Sequence, residues 1–489
     1  MSNKLVYKRS QMSFSFYWYD LETSGINPKT DRILQFAGIR TDADFNIIGD
    51  KQVFYSQISD DILLSPEASL VTKLTPQLVN EKGIKEGEFI KKILKEFETR
   101  ETCVLGYNTI RFDDEFIRYS LYRNLYDPYS REWQNGNTRW DLIDCIRMTS
   151  ALRPEGINWP IDSTGKLSYK LENLSKENDI IHELAHDALS DVEATIGLAK
   201  LISEKQNKLF KFLFNLRRKQ EVLKYIDLNG YSPIVHSTGM VGSEFYCTSV
   251  FMPLSQHPNN SNGIIAWDLR YGPKFLLEFS SEQIKDSLYT KTDELEDPLH
   301  KMRLKLISIN KCPAIAPMST LDENSQKKIK IDMNLVKKHY DFIYENREEI
   351  IPKLYDVYND NFESNDINKN QNNDVDGMLY NGFLDRTDKM TMQKLHKNYF
   401  KNFRAADFED ERLSELGFRY VARNYTDNLD KNELNKWKEY CKSKLINIDA
   451  YIQNINALID NEKKQKNKEN LNVLIELKDY AVNLKESYF

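Results

Sequence analysis

The first strongly patterned stretch is FSFYWYDLE, residues 14–22, an aromatic run that ends in two acids. Bounded by the turn residues TSGINPKTD, it predicts a buried strand, and ILQFAGIRTD (33–42) predicts the next. VFYSQI (53–58) reads as a third strand and TCVLGYN (102–108) as a buried one. EFIKKILKEFE (88–98), FDDEFIRYSLYRNLY (112–126) and DALSDVEATIGLAKLISEKQ (187–206) place apolar residues at helical spacing. Strands alternating with helices over residues 13–206 predict an α/β domain on a mixed sheet. From about 207 the pattern changes. SPIVHSTG, GIIAWDLR, KFLLEFS and RLKLISINKCPAIAP read as short strands with Gly and Pro punctuation, a β-rich module over 207–356. YNDNFESNDINKNQNNDVDG (358–377) is rich in Asn and Asp and reads as an exposed linker, so the third region is 357–489 with a linker over 357–377. LSELGFRYVARNY, KNELNKWKEYCKSKL and the lysine-rich run from 459 to 484 then read as helical.

Two or three domains are what 489 residues lead one to expect. No window holds the roughly 18–20 apolar residues of a membrane span, and MSNKLVYKRSQMS lacks the apolar core of a signal peptide. Cys103, Cys145, Cys247, Cys312 and Cys441 are scattered, odd in number and without CxxC spacing. They predict reduced thiols in a cytoplasmic protein, with neither a zinc knuckle nor a disulfide framework. The net charge of −6 argues against a protein that coats nucleic acid, but leaves room for a local basic groove.

The chemistry begins at Asp20 and Glu22. Residues i and i+2 of a strand share a face, so both carboxylates leave the strand end together. Their repulsion is relieved by protonating one of them or by binding a hard divalent cation. Asp113 falls at the start of a predicted helix, His186 just before another, and Asp191 in that helix's first turns. Taken singly, each is better read as a solvated turn, a helix-terminal acid or a hydrogen-bonded histidine. Arg118, Tyr129, Trp133, Arg147 and Lys170 interleave positive charge with rings, a combination that binds single strands by phosphate contact and base stacking.

In order, Asp20, Glu22, Asp113, His186 and Asp191 resemble the DEDD exonuclease superfamily in its histidine-bearing branch: DxE on a first strand, N-x₃-FD-x₂-F in the middle, H-x₄-D late. RNLYDPY (123–129), RWDLIDCIR (139–147), ALRPEGINWP (151–160), SINKCPAIA (308–316), LYNGF (379–383) and ARNY (422–425) resemble the bacterial exonuclease I family over nearly the whole chain. That resemblance implies a ribonuclease H-like exonuclease domain, an SH3-like domain and a helical C-terminal domain. It implies 3′→5′ hydrolysis of single-stranded DNA in DNA repair, with two Mg²⁺ (or Mn²⁺) held by Asp20, Glu22, Asp113 and Asp191. His186 would be the general base, with Asp113 beside it in catalysis. Glu22, Arg118, Tyr129, Trp133, Arg147 and Lys170 would contact DNA. A monomer that binds the acidic tail of single-stranded DNA-binding protein is also implied. The alternatives are a ribonuclease of the same superfamily and a non-catalytic single-strand scaffold. Leu21 and Ser24 stand where the family usually has aromatics, so stacking on the terminal base is expected to differ; Lys170 stands in place of an arginine.

Overall fold

The computed structural model describes residues 14–182, 187–295, 297, 300–359, 374–397 and 408–489. These form two compact units: residues 1–138, 183–193 and 369–489 in one, 139–182 and 194–368 in the other.

The first unit is organised by a mixed sheet. Strands β1 (Ser15–Thr23), β2 (Ile33–Thr41), β3 (Gln52–Tyr55) and β4 (Thr102–Gly106) lie in the order β3-β2-β1-β4. The sheet's last strand, β5 (Thr138–Asp141), is where the chain passes from the first unit to the second. β1 runs antiparallel to β2 and parallel to β4, the mixed arrangement expected from the alternating pattern. The aromatic run is explained by burial of both faces of β1. Tyr17, Tyr19 and Leu21 enter a core with Phe36, Phe89 and Phe97. On the other face Phe16 and Trp18 pack against Phe45, and Trp18 Nε1 donates to Thr41 Oγ1 at 3.0 Å. Each such side chain contributes roughly 1.5–3 kcal/mol by leaving water. Asp20 and Glu22 come last on the second face, beyond this aromatic packing.

The C-terminal helices share this unit's cores. Ile455, Ile459, Leu474 and Leu477 pack with Leu34, Ile58, Leu64 and Val79. The helix Glu411–Asn424 buries Leu416 and Tyr420 against Tyr119 and Tyr122. Within the ARNY motif, Arg423 donates to Asp61 Oδ2 at 2.8 Å, and Asn424 Oδ1 accepts from Gly87 N–H at 2.8 Å. The family-like motif is therefore structural cement.

The second unit holds an antiparallel sheet: β6 (Ile234–Ser237), β7 (Thr248–His257), β8 (Asn260–Asp268), β9 (Leu304–Ser308) and β10 (Ala314–Pro317), in the order β10-β6-β7-β8-β9. Two expectations change. KFLLEFS is a short helix, Phe275–Glu278, followed by the capped helix Ser281–Tyr289; its apolar residues are too few to distinguish the two periods. Most of the expected linker lies outside the described residues, but its end is no exposed tether. Asp374 caps the turn Val375–Gly377, and Asp376 is buried. All five cysteines are buried and free of disulfides. Among the described residues no helix is long and apolar enough to cross a membrane.

Candidate metal site and nucleic-acid interface

Every acid of the expected set lies in the first unit. Asp20 and Glu22 leave the C-terminal end of β1 on one face. Asp191 comes from the first turns of the helix Ala188–Lys205. Oxygens of these three carboxylates lie within 4.8 Å of one another. Asp113 opens the helix Asp113–Arg123 after a turn in which Asn108 takes a left-handed backbone (φ 65°). It stands outside that group of three, but its charge acts on Asp20. At the end of β4, Gly106 lets the chain pass close to the backbone beside Asp20: a Cβ there would lie 2.5 Å from Tyr19 O.

The electrostatics state the problem these residues pose. Burial, then the charges of Asp113, Asp191 and Asp187, push the Asp20 carboxyl well above the carboxylate range. Burial, then Asp20, Asp191 and Asp187, push Glu22 to about 9. Without a cation Glu22 holds a proton at neutral pH, and Asp20 is pushed in the same direction. The donors are all carboxylate oxygens with no basic side chain among them, which suits a hard ion such as Mg²⁺ or Mn²⁺.

The structure separates neighbours that look alike in sequence. Asp114 is a structural acid: Tyr19 Oη donates to it at 2.9 Å and Arg131 at 2.6 Å. Asp187 was passed over, and its charge reaches both Asp20 and Glu22. Its Oδ1 accepts from Ser190 N–H at 3.1 Å, the ordinary work of a helix-capping acid. Its signal in the sequence is an acid next to His186, just before a predicted helix. His186 itself lies outside the described residues. Leu21 belongs to the apolar core, and Ser24 is wholly buried with its Oγ accepting from Arg32 N–H. Neither side chain offers an exposed face at this end of β1.

Of the expected DNA contacts, Glu22 is in the acidic cluster and Trp133 is 66 % exposed. Arg118 is buried. It donates to Glu132 at 2.8 and 3.0 Å and to Glu115 at 2.9 Å, and its guanidinium lies 5.2 Å from the Tyr129 ring centre. Arg118 thus braces the Tyr129 ring from one side. In the second unit, Arg147 is paired with Asp144 at 2.6 Å and lies 5.9 Å from the Tyr169 ring. Lys170 is exposed, with Glu172 at 3.7 Å.

Comparison with known proteins matches nearly the whole chain. Residues 17–199 match the family description "Exonuclease", 217–360 "Exonuclease I SH3-like domain" and 373–484 "Exonuclease I C-terminal domain". Exodeoxyribonuclease I of Haemophilus influenzae is 44 % identical over 486 residues, covering 96 % of this chain and 99 % of that protein. The zinc-bound form of an E. coli ExoI–ssDNA complex superposes with a TM-score of 0.91 at 38 % identity, over 97 % of this chain and 100 % of that one. An SSB/Exonuclease I structure with the inhibitor CFAM gives 0.88 at 37 %, over 96 % and 100 %. The architecture is therefore a ribonuclease H-like exonuclease domain, an SH3-like domain and an exonuclease I C-terminal domain.

Proposed function

Because the chain belongs to the exodeoxyribonuclease I family, a family of nuclease hydrolases, we propose that it degrades single-stranded DNA processively from the 3′ end to 5′-mononucleotides, using Mg²⁺. The observation that carries this is the meeting of Asp20, Glu22 and Asp191 at one strand end. Three buried or half-buried carboxylates so close are stable together only as protonated acids or as cation ligands, and only the second use needs all three.

Asp20, Glu22 and Asp191 would hold the ions, with Asp113 completing one position directly or through water. Bound divalent ions supply a nucleophilic water at neutral pH and neutralise charge on the scissile phosphate. His186, one residue before Asp187, takes the proton of the attacking water on its imidazole, and adds no negative charge beside the phosphate. Tyr129, held by Arg118, and the exposed Trp133 offer rings to bases irrespective of sequence. Arg147 and Lys170 add positive charge for the phosphate backbone. The protein partner is an acidic tail of the SSB kind, as the relative's complex supports. A cavity of about 530 Å³ in the second unit suits such a tail, since Leu152, Phe212 and Pro317 line it together with Arg153, Lys205 and Lys208.

Two variants test the roles. Asp20→Ala abolishes Mg²⁺-dependent release of mononucleotides and leaves binding of a single-stranded oligonucleotide largely intact. His186→Ala lowers turnover by about 10²–10⁴. Normal digestion by the first variant would remove Asp20 from the metal site, and an unchanged rate in the second would make His186 structural.

A further inference from the structure

The pairing that carries Glu22 is irregular at the next residue. Glu22 lies opposite Gln35 but Thr23 lies opposite Ile33, so Leu34 is the extra residue of a β-bulge. A bulge bends its strand and re-aims the side chains beside it. This one is closed on its far side by Ser24 and Arg32. Ser24 N–H donates to Arg32 O, and Arg32 N–H donates to Ser24 Oγ, both at 2.9 Å. Ser24 O accepts from Ser65 N–H at 2.8 Å.

Arg32 does not end in solvent. Its guanidinium donates to Asp376 Oδ2 at 2.9 Å and to Thr30 O at 2.8 Å, with Asp61 Oδ2 at 3.7 Å. Asp376 is 3 % exposed and also accepts from Arg419 at 3.2 Å and from Arg423. Arg423 bridges back to Asp61 at 2.8 Å. Arg123, on the helix that Asp113 opens, donates to Pro28 O at 3.1 Å and so grips the same turn. Removing one member of a buried charge network leaves its partners uncompensated, so such a network holds its geometry tightly.

We propose that Asp376 is a positioning residue for the metal site: through Arg32 and Ser24 it fixes the bulge that aims Glu22 at Asp20 and Asp191. The proposal rests on the metal reading above. It gives Ser24 a purpose, because its hydroxyl is the side-chain link between the bulge and Arg32. Asp376 acts through Arg32 and is no ligand itself.

The test uses the full-length protein and Mn²⁺ alone, with free Mn²⁺ followed by electron paramagnetic resonance and a melting curve taken on each sample. Wild type binds Mn²⁺. Asp376→Asn and Ser24→Ala each weaken binding about tenfold, the lower end of what loss of a ligand's supporting partner costs. Should Asp376→Asn fail to fold, Ser24→Ala removes a single hydroxyl and carries the test alone. Variants that melt lower yet bind Mn²⁺ as wild type does would overturn the proposal, since the network would then be structural only. Absence of Mn²⁺ binding in wild type would overturn the metal reading itself, a result distinct from the first.

Discussion

Glu22 carries the sharpest conflict at the scale of single residues. Burial and the charges of Asp20, Asp191 and Asp187 raise its carboxyl to about 9, against an ordinary value near 4.5. Between those values the folded, metal-free protein binds a proton that the unfolded chain has lost. Metal-free stability therefore falls as pH rises through that window, and a cation restores it. Glu22→Gln relieves the conflict without a metal. In EDTA at pH 8 this variant melts several degrees above wild type, and its melting temperature no longer responds to Mg²⁺, whereas that of wild type rises. A variant that melts below wild type in EDTA would show that Glu22 is stabilised by something other than a cation. The residues of this site were legible to different degrees. Asp20, Glu22 and Asp191 could be read because strand alternation and helix position fix where their carboxylates go. Asp113 was set apart from Asp114 by the N-x₃-FD-x₂-F resemblance and not by periodicity, and the contacts of Tyr19 and Arg131 assign the second acid to structure. Asp376 was hidden by its surroundings, because a stretch dominated by Asn and Asp looks solvated whatever one of its acids does.

Among the elements, the helix Arg386–Lys397 docks through buried Met392 and Leu395 and through one titratable ring. His396 stacks on Tyr126 with ring centres 3.6 Å apart, and its Nε2 donates to the carbonyls of Asn124 and Leu125 at 3.1 Å each. Leu125 has a positive φ of 58°, an uncommon conformation for leucine that these bonds help to hold. Burial lowers the imidazole to about 4. The unfolded chain takes up a proton from about 6.5 downward while the folded one resists to about 4, so docking weakens as pH falls through that interval. His396→Phe keeps the ring on Tyr126 but leaves two carbonyls without their donor. It costs about 1–3 kcal/mol at pH 7.5 and flattens the melting profile between pH 6.5 and 4. A profile as steep as that of wild type would assign the acid sensitivity to other groups. Element types were legible where a run was long: β1 and β2 follow from apolar runs bounded by turn residues, and the helix Ala188–Lys205 from helical spacing. KFLLEFS was too short for that, and its helix is decided by neighbours that the local pattern does not contain.

For the whole molecule, the changes of texture at about 207 and about 357 lie close to the starts of the matched SH3-like and C-terminal regions, 217 and 373. Texture did not show how segments combine. The C-terminal helices complete cores begun by residues 34–79 and 119–125, and residues 139–182 group with the second sheet. Such sharing is invisible to a reading that moves along the chain, because an apolar helix face does not name its partner. The proposed function requires the aromatic strand to hold two acids where a cation joins them and a 3′ end can reach it. Digestion of single-stranded DNA labelled at the 3′ or the 5′ end, beside duplex and RNA of the same sequence, with Mg²⁺ or with EDTA, tests this most directly. The expected result is immediate loss of 3′ label as mononucleotide from the single strand, late loss of 5′ label, little attack on duplex or RNA, and none in EDTA. Cleavage that proceeds in EDTA, starts from the 5′ end, or is faster on RNA would contradict it.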